Sequence, residues 1–162
     1  LLVIGIGKVA NIIFHVDKPK TSGYTVEVEQ ASSTSTDAAE ETVEKIDISA
    51  IMAMGDVTAG QKIFKKCAAC HSINKGGGNK IGPALYNVVG RKVGSVEGYK
   101  YSKALAEYEK DWTFEELNGF LLKPAKYIKG TKMAYAGLRK EKDRASIIKY
   151  LNQSSDNPQP LP

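Results

Sequence analysis

The chain of 162 residues has a formal net charge of +5 and contains two cysteines. A chain of this length can form one domain of ordinary size with residues to spare. Two cysteines are too few for a disulfide-rich scaffold. The charge is uneven, because residues 55–162 hold 19 Lys and Arg against 10 Asp and Glu, whereas residues 1–54 hold 4 against 8. The basic part of the chain predicts a partner with an acidic surface.

The first 16 residues are mostly apolar and predict a partial membrane anchor. As a helix they would span about 24 Å, less than the roughly 30 Å hydrocarbon core, so we expect the anchor to begin before Leu1. A signal-peptide remnant is the alternative, although no A-x-A-like cleavage site follows the apolar run. Lys8 and Asn11 are unfavourable in lipid but are tolerated where such a helix packs against a partner.

Residues 17–54 are predicted to form a flexible acidic linker. Pro19 lies in a polar cluster that ends the apolar run, and residues 37–44 are predominantly acidic. A flexible chain of this length has a typical end-to-end distance of about 34 Å. Such a linker would let a tethered domain move between neighbouring membrane complexes.

The short sequence Cys-Ala-Ala-Cys-His occupies residues 67–71. Positions three apart on a helix share a face, so Cys67, Cys70 and the adjacent His71 can converge on one flat ligand. Thiols at this spacing form thioethers with haem vinyl groups, and the neutral imidazole binds the iron. A zinc site would need a second pair of ligands, and a thioredoxin-like redox pair would need a βαβ setting. The motif therefore predicts one covalently bound haem c.

Residues 55–155 are predicted to form the haem domain, with short helices, long loops and a loose tail at 156–162. Asp56 is a predicted N-cap for the helix that leads to the motif, and Thr113 with Glu116 predicts a capping box. Four glycines and a proline in the loop after the motif allow close approach to a flat ligand. Further helices are predicted at 84–89, at 102–109 with Ser102 as its cap, at 113–122 and at 142–152.

A second axial ligand would leave the haem iron suited to electron transfer rather than to substrate chemistry. The candidates in the sequence are Met52, Met54, Met133 and His15. A lone methionine is more often core filler than a ligand. Met133 is favoured because it lies in a glycine-flanked segment far enough along the chain to reach the opposite haem face.

The stretch from residue 55 to about 153 resembles a class I cytochrome c, close to the mitochondrial type. Residues 127–133, Tyr-Ile-Lys-Gly-Thr-Lys-Met, are similar to the methionine loop of that family, with Lys129 where proline is usual. The resemblance implies an all-α fold of short helices and loops around one covalent haem c. It also implies His71 and Met133 as the axial pair, with the Pro83 carbonyl accepting a hydrogen bond from His71.

The same resemblance implies roles for several polar residues. The expected donors to the haem propionates are Arg91, Tyr101, Trp112 and Thr131. The lysines expected around the exposed haem edge, as a docking surface for partners, are Lys66, Lys75, Lys80, Lys126, Lys132 and Lys140. Gly60 matches the residue where the first and last helices cross, opposite Ile147 and Tyr150. The chain departs from the family pattern at two positions. Phe64 lies one residue closer to the motif than its counterpart in mitochondrial proteins, and Phe120 stands where the family often has a tyrosine.

The sequence therefore predicts an electron-transfer protein of a respiratory chain rather than an enzyme. It resembles membrane-anchored alphaproteobacterial cytochromes c, which implies transfer from a quinol-oxidising cytochrome bc-type complex to a haem–copper cytochrome c oxidase. The implied location is the bacterial inner membrane, with the haem domain on the periplasmic side and no nucleic-acid partner. The alternative is a haem-containing redox enzyme or oxidase subunit with an open iron site.

Overall fold

A computed structural model describes residues 47–162, so the predicted anchor and most of the predicted linker lie outside the described residues. Within them the secondary structure is helical, and the only pairing between extended residues is an isolated antiparallel bridge of Lys92 with Asp111. No helix in this part of the chain is both long and apolar enough to span a membrane. The helices are α1 (Ile48–Ala53), α2 (Val57–Phe64), α3 (Lys103–Ala106), α4 (Phe114–Leu122), α5 (Pro124–Tyr127) and α6 (Glu141–Gln153).

Three of the predicted N-caps are present. Asp56 Oδ1 accepts a hydrogen bond from Ala59 N at 2.7 Å, and Ser102 and Thr113 cap α3 and α4 in the same way. Such caps satisfy backbone donors that have no partner inside the helix. These caps could be predicted from the sequence because the donor and the acceptor are only three residues apart.

The capping box at Thr113 is only half formed, which corrects the prediction. Glu116 N donates to Thr113 Oγ1 at 3.2 Å, but the Glu116 carboxylate does not return to Thr113 N. Thr113 N donates to Asp111 O instead, at 2.8 Å. The carboxylate is engaged by Tyr108, Lys110 and Tyr127 on the other side of the helix.

Helices α2 and α6 cross at Gly60 with their backbones almost in contact. A Cβ atom at Gly60 would lie 2.1 Å from the carbonyl oxygen of Ser146 and 2.7 Å from Tyr150 Cβ. The crossing was predicted, but the residue opposite Gly60 is Ser146 rather than Ile147. Ile147 is instead fully buried in the core. The Phe64 and Tyr150 rings extend this contact, with centroids 5.6 Å apart.

The predicted boundary between linker and haem domain at residue 55 is too late. Residues 48–53 form α1, which packs against α6 and contributes Ile48, Ile51 and Met52 to the core. These apolar residues have the i, i+3, i+4 spacing of an amphipathic helix, and Asp47 caps it. The sequence-based prediction missed this short pattern because the residues that precede it are acidic and resemble a linker.

The predicted helix at 84–89 is absent, and residues 86–87 form a turn instead. Asn87 has a φ of +58°, which no α-helix accommodates, and its backbone N–H donates to Ser154 O at 3.0 Å. Helix α3 is also shorter than predicted, since it ends at Ala106 rather than near Glu109. These differences arise because contacts with distant residues override weak local helix propensity.

The tail at 156–162, predicted to be loose, is held to the domain. Asp156 N donates to Asn87 Oδ1 at 2.9 Å, and Asp156 Oδ1 accepts from Lys75 Nζ at 2.5 Å. Further along, Asn152 and Gln159 exchange a reciprocal pair of hydrogen bonds at 2.8 and 2.9 Å. The ordered part of the domain therefore continues beyond residue 155.

The α2–α6 crossing generates a stability prediction. Gly60→Ala should lower the free energy of unfolding by about 1–3 kcal/mol, because the new methyl group would collide with the Ser146 carbonyl and force the helices apart. Denaturant unfolding of the holoprotein measures this change. Gly78→Ala is the matched control, since a Cβ there meets nothing within 4 Å. Equal losses in the two variants would contradict the prediction.

Candidate haem site

The two cysteines and His71 lie in tight turns that follow α2. Helix α2, predicted to lead to the motif, ends at Phe64, three residues before Cys67. Cys67 N donates to Phe64 O at 2.8 Å, and the amides of Cys70 and His71 both donate to Cys67 O, at 3.0 and 2.9 Å. These bonds preserve the compact helical geometry that the spacing of the thiols requires. Both thiols are free and half-buried.

His71 is oriented by the predicted hydrogen bond. Its Nδ1 lies 2.7 Å from Pro83 O, and Nδ1–H donating to this carbonyl leaves Nε2 with the lone pair that a metal ligand needs. Burial lowers the pKa of His71, against the opposing effect of the Pro83 hydrogen bond. The neutral imidazole is therefore the favoured form.

Gly82 permits this geometry, because the His71 ring lies directly against its backbone. A Cβ atom at Gly82 would fall 2.3 Å from His71 Cε1, too close for any side chain. The turn is held by Gly82 N, which donates to Cys70 O at 2.8 Å. The glycine-rich composition of this loop was predicted to allow its backbone to approach a flat ligand closely. In the structure, the loop backbone at Gly82 lies against the imidazole ring of His71.

Arg91 carries a buried donor with no partner among the described residues. Its Nη1 and Nη2 donate to the carbonyls of Tyr86 and Ala84 at 2.9 and 3.0 Å, whereas Nε is buried and unbonded within residues 47–162. Burial lowers the pKa of Arg91, although a neighbouring Tyr101 opposes this. Buried N–H groups normally have an acceptor, and a carboxylate is the strongest match for a guanidinium. The donor set therefore fits a haem with its propionates.

The other predicted propionate donors lie in different settings. The Tyr101 hydroxyl is half-buried and accepts from Val96 N at 3.3 Å. Trp112 is buried against Phe120, with ring centroids 4.9 Å apart. Thr131 Oγ1 accepts from Met133 N at 3.2 Å. The structure thus brings Tyr101 near Arg91, while Thr131 is engaged by the backbone of the methionine segment.

Among the candidate second ligands within residues 47–162, Met133 has the setting that best suits a ligand. It is half-buried beside the core in the irregular segment between α5 and α6. Met52 is 1% exposed inside the core, Met54 is 43% exposed at the end of α1, and His15 lies outside the described residues.

Tyr135 was not singled out from the sequence, although it lies only two residues after Met133. Burial raises the pKa of Tyr135, and the nearby Cys67 thiol adds to the effect. Cys67, Met133 and Tyr135 are all partly buried against the same hydrophobic core.

The predicted docking lysines are all exposed, but three of them have partners. Lys75 pairs with Asp156, Lys80 Nζ donates to Ala68 O at 2.8 Å, and Lys132 Nζ lies 3.4 Å from the carbonyl oxygens of Lys100 and Tyr101. Lys80 thus brings its charge to the backbone of the motif. No cluster of three or more His, Cys, Asp or Glu within residues 47–162 could hold a metal ion.

Comparison with known proteins gives a consistent answer. Residues 57–155 match the family model described as Cytochrome c. The chain is 51% identical over 105 residues to cytochrome c of Gibberella zeae, which covers 64% of this chain and 99% of that protein. It is 40% identical over 152 residues to a cytochrome c homolog of Rickettsia bellii, an alignment that covers 93% of this chain and 86% of that protein. It is 36% identical over 154 residues to a cytochrome c homolog of Bradyrhizobium diazoefficiens, with 94% of this chain and 84% of that protein covered.

A solved structure gives the fold. Cytochrome cH from Methylobacterium extorquens superposes with a TM-score of 0.57 at 40% identity, covering 61% of this chain and 99% of that one. The all-α class I cytochrome c fold predicted from the sequence is confirmed. The turn that holds Cys67, Cys70 and His71, together with these similarities, shows that the chain belongs to the cytochrome c family, binds one covalent haem c and transfers electrons rather than acting as an enzyme.

Proposed function

We propose that this cytochrome c is a membrane-tethered carrier with iron bound by His71 and Met133. It takes single electrons from a quinol-oxidising cytochrome bc-type complex and gives them to a haem–copper cytochrome c oxidase. The observation that supports the proposal is the orientation of His71 by the Pro83 carbonyl, together with the half-buried Met133, which packs against the same core as Cys67.

The residues of the site have complementary roles in this proposal. The bound haem c supplies a one-electron redox centre. Cys67 and Cys70 would provide the thiols for covalent attachment, and His71 and Met133 would supply the two protein ligands to the iron. Arg91 Nε, a buried donor without a partner among the described residues, would donate a charge-assisted hydrogen bond to a propionate. A soft thioether ligand also raises the reduction potential relative to a second imidazole.

The ligand assignment is tested by removing the thioether. Met133→Ala should abolish the near-infrared band of methionine-ligated ferric haem completely, because no other described methionine is placed to replace it. The absorption spectrum of the oxidised protein measures this. Met54→Ala, at the exposed C-cap of α1, is the matched control and should keep the band. Persistence of the band in Met133→Ala would place the ligand elsewhere.

The tether is supported by two observations on the sequence. Residues 1–16 are apolar and residues 37–44 acidic, which is the pattern of an anchor and a solvated linker. The Rickettsia and Bradyrhizobium relatives align with 93–94% of this chain, so the similarity extends well before the haem domain. We infer a location at the inner membrane with the haem domain in the periplasm.

Carbonate extraction of membranes tests the tether. The protein produced from its complete gene should stay in the membrane fraction, because an apolar helix resists alkaline release. A variant that begins at Lys45 should be soluble, since it keeps α1 and its cap Asp47 but lacks the apolar segment. Release of the complete protein by carbonate would contradict the tether.

Docking is proposed to occur through the exposed lysines near the motif. Lys66 is adjacent to Cys67, and Lys80 contacts the backbone of Ala68. Residues 55–162 carry an excess of nine positive charges, which favours approach to an acidic surface. Their contribution should act mainly on the rate of encounter, as is usual for exposed charges at an interface.

Charge reversal at one lysine tests this surface. Lys66→Glu should slow association with the oxidase by about tenfold at low ionic strength, with the haem spectrum unchanged, because electrostatic steering weakens. Stopped-flow oxidation at several salt concentrations measures the rate. Lys103→Glu makes the same charge change outside the predicted docking set and should have a much smaller effect. Equal slowing by both variants would show that only net charge matters.

A further inference from the structure

Glu116 is the acceptor of an unusual group of side-chain hydrogen bonds away from the haem motif. Its Oε2 accepts from the hydroxyls of Tyr108 and Tyr127 at 2.7 and 3.0 Å, and its Oε1 accepts from Lys110 Nζ at 2.5 Å. The Glu116 side chain is only 12% exposed. The donors come from two different segments, because Tyr108 and Lys110 follow α3 whereas Tyr127 ends α5.

Tyr127 joins α5 to α4 at two points. Its ring lies against Gly119, where a Cβ would fall 2.3 Å from Tyr127 Cε2, and its hydroxyl reaches Glu116 one turn earlier on the same helix. Helix α5 is a single turn whose N-cap, Lys123, makes no side-chain capping bond. Such a short helix has little stability of its own, so its position depends on tertiary contacts. These are the burial of Pro124 and of Ile128, which follows the helix, and the contacts of Tyr127 with α4.

The segment that carries Met133 is held to α4 at both ends. Upstream it begins directly after Tyr127, and downstream Leu138 N donates to Leu121 O at 2.8 Å. Between these points the backbone makes short local bonds, such as Met133 N to Thr131 Oγ1 at 3.2 Å. The exposed Lys132 Nζ adds two long contacts, at 3.4 Å, with the carbonyl oxygens of Lys100 and Tyr101. Loss of the upstream attachment would lengthen the free segment and increase the entropy that its closure must overcome.

The protonation states around Glu116 suit a lasting structural contact. Burial and then the hydrogen bond to Glu116 raise the pKa of Tyr108 to about 12, and the same causes raise the pKa of Tyr127. Burial raises the pKa of Glu116, but the bonds from Lys110 and the two tyrosines outweigh it and the net shift is downward. Both phenols therefore remain donors and Glu116 remains an ionised acceptor at neutral pH.

We propose that Glu116 is a positioning residue for electron transfer, because by holding Tyr127 on α4 it fixes the upstream end of the segment that carries Met133. Weakening this contact makes the methionine easier to lose from the iron. The inference rests on the proposed ligand role of Met133. It assigns a function in iron coordination to a carboxylate that touches neither the haem motif nor the methionine.

The chain offers a matched pair of variants for the test. Tyr127→Phe and Tyr108→Phe each remove one phenol hydrogen bond to the same oxygen, Glu116 Oε2, but only Tyr127 belongs to α5. In urea below the unfolding transition, Tyr127→Phe should increase the population lacking the near-infrared methionine band by about 5-fold, the value expected for one net hydrogen bond. Tyr108→Phe should stay close to wild type. Global unfolding of each variant is followed separately by circular dichroism.

A second pair of variants and a second readout separate positioning from general stability. Glu116→Gln should increase the band-free population at least as much as Tyr127→Phe, whereas Glu115→Gln, at an exposed position on the same turn, should not. Amide hydrogen exchange at Thr131 and Met133 should accelerate in Tyr127→Phe and Glu116→Gln, with the amides of α2 and α6 unchanged. Uniform acceleration throughout the domain would overturn the positioning role.

The outcomes also distinguish this inference from the ligand assignment beneath it. If Tyr127→Phe and Tyr108→Phe increase the band-free population equally, the positioning role is wrong while Met133 remains the ligand. If the wild type lacks the band, or Met133→Ala retains it, the ligand assignment itself fails. A selective effect of Tyr127→Phe, with the band lost in Met133→Ala, supports both.

Discussion

The close crossing of α2 and α6 is the constraint on which the haem site depends. Gly60 allows the α2 backbone to approach the Ser146 carbonyl, and Asp56 N donates to Ser146 Oγ at 3.1 Å at the start of the same helix. Lys149 Nζ adds a bond to Gly55 O at 3.1 Å. Because Cys67 follows the end of α2 by three residues, this crossing determines where the motif lies. A displacement of α2 would therefore move the haem attachment together with the core.

The two predicted ligands belong to parts of the fold with different supports. His71 is fixed locally, by the turn after α2 and by the carbonyl of Pro83. Met133 lies in an irregular segment whose ends are both attached to α4. Irregular segments open at lower free energy than well-packed parts of a fold, so restraints on this segment matter for the proposed methionine ligand. A carrier needs a coordination geometry that changes little between oxidation states, and restraints on that segment serve this need.

The surface charges are also modified by contacts between distant parts of the chain. Lys75 is paired with Asp156, and Tyr86 donates to the same carboxylate at 2.9 Å. An exposed pair of this kind contributes little to stability. It does, however, offset one positive charge within the set of lysines proposed for docking. The C-terminal segment thereby influences the electrostatic surface as well as covering the loop around Asn87.

The sequence by itself determined the features whose partners are close along the chain. The motif at 67–71, the caps at Asp56, Ser102 and Thr113, and the approximate positions of α2 and α6 follow from spacings of a few residues. The resemblance to cytochromes c extended this to the bond between His71 and Pro83. Tertiary structure alone decided that α1 belongs to the core, that Asn87 forms a turn held to Ser154, and that Asp156 orders the tail. It also decided that Glu116 turns from its cap toward Tyr108, Lys110 and Tyr127. These outcomes depend on which side chains the fold brings together across long stretches of sequence, such as the 81 residues between Lys75 and Asp156. Local propensity carries no information on contacts of this kind.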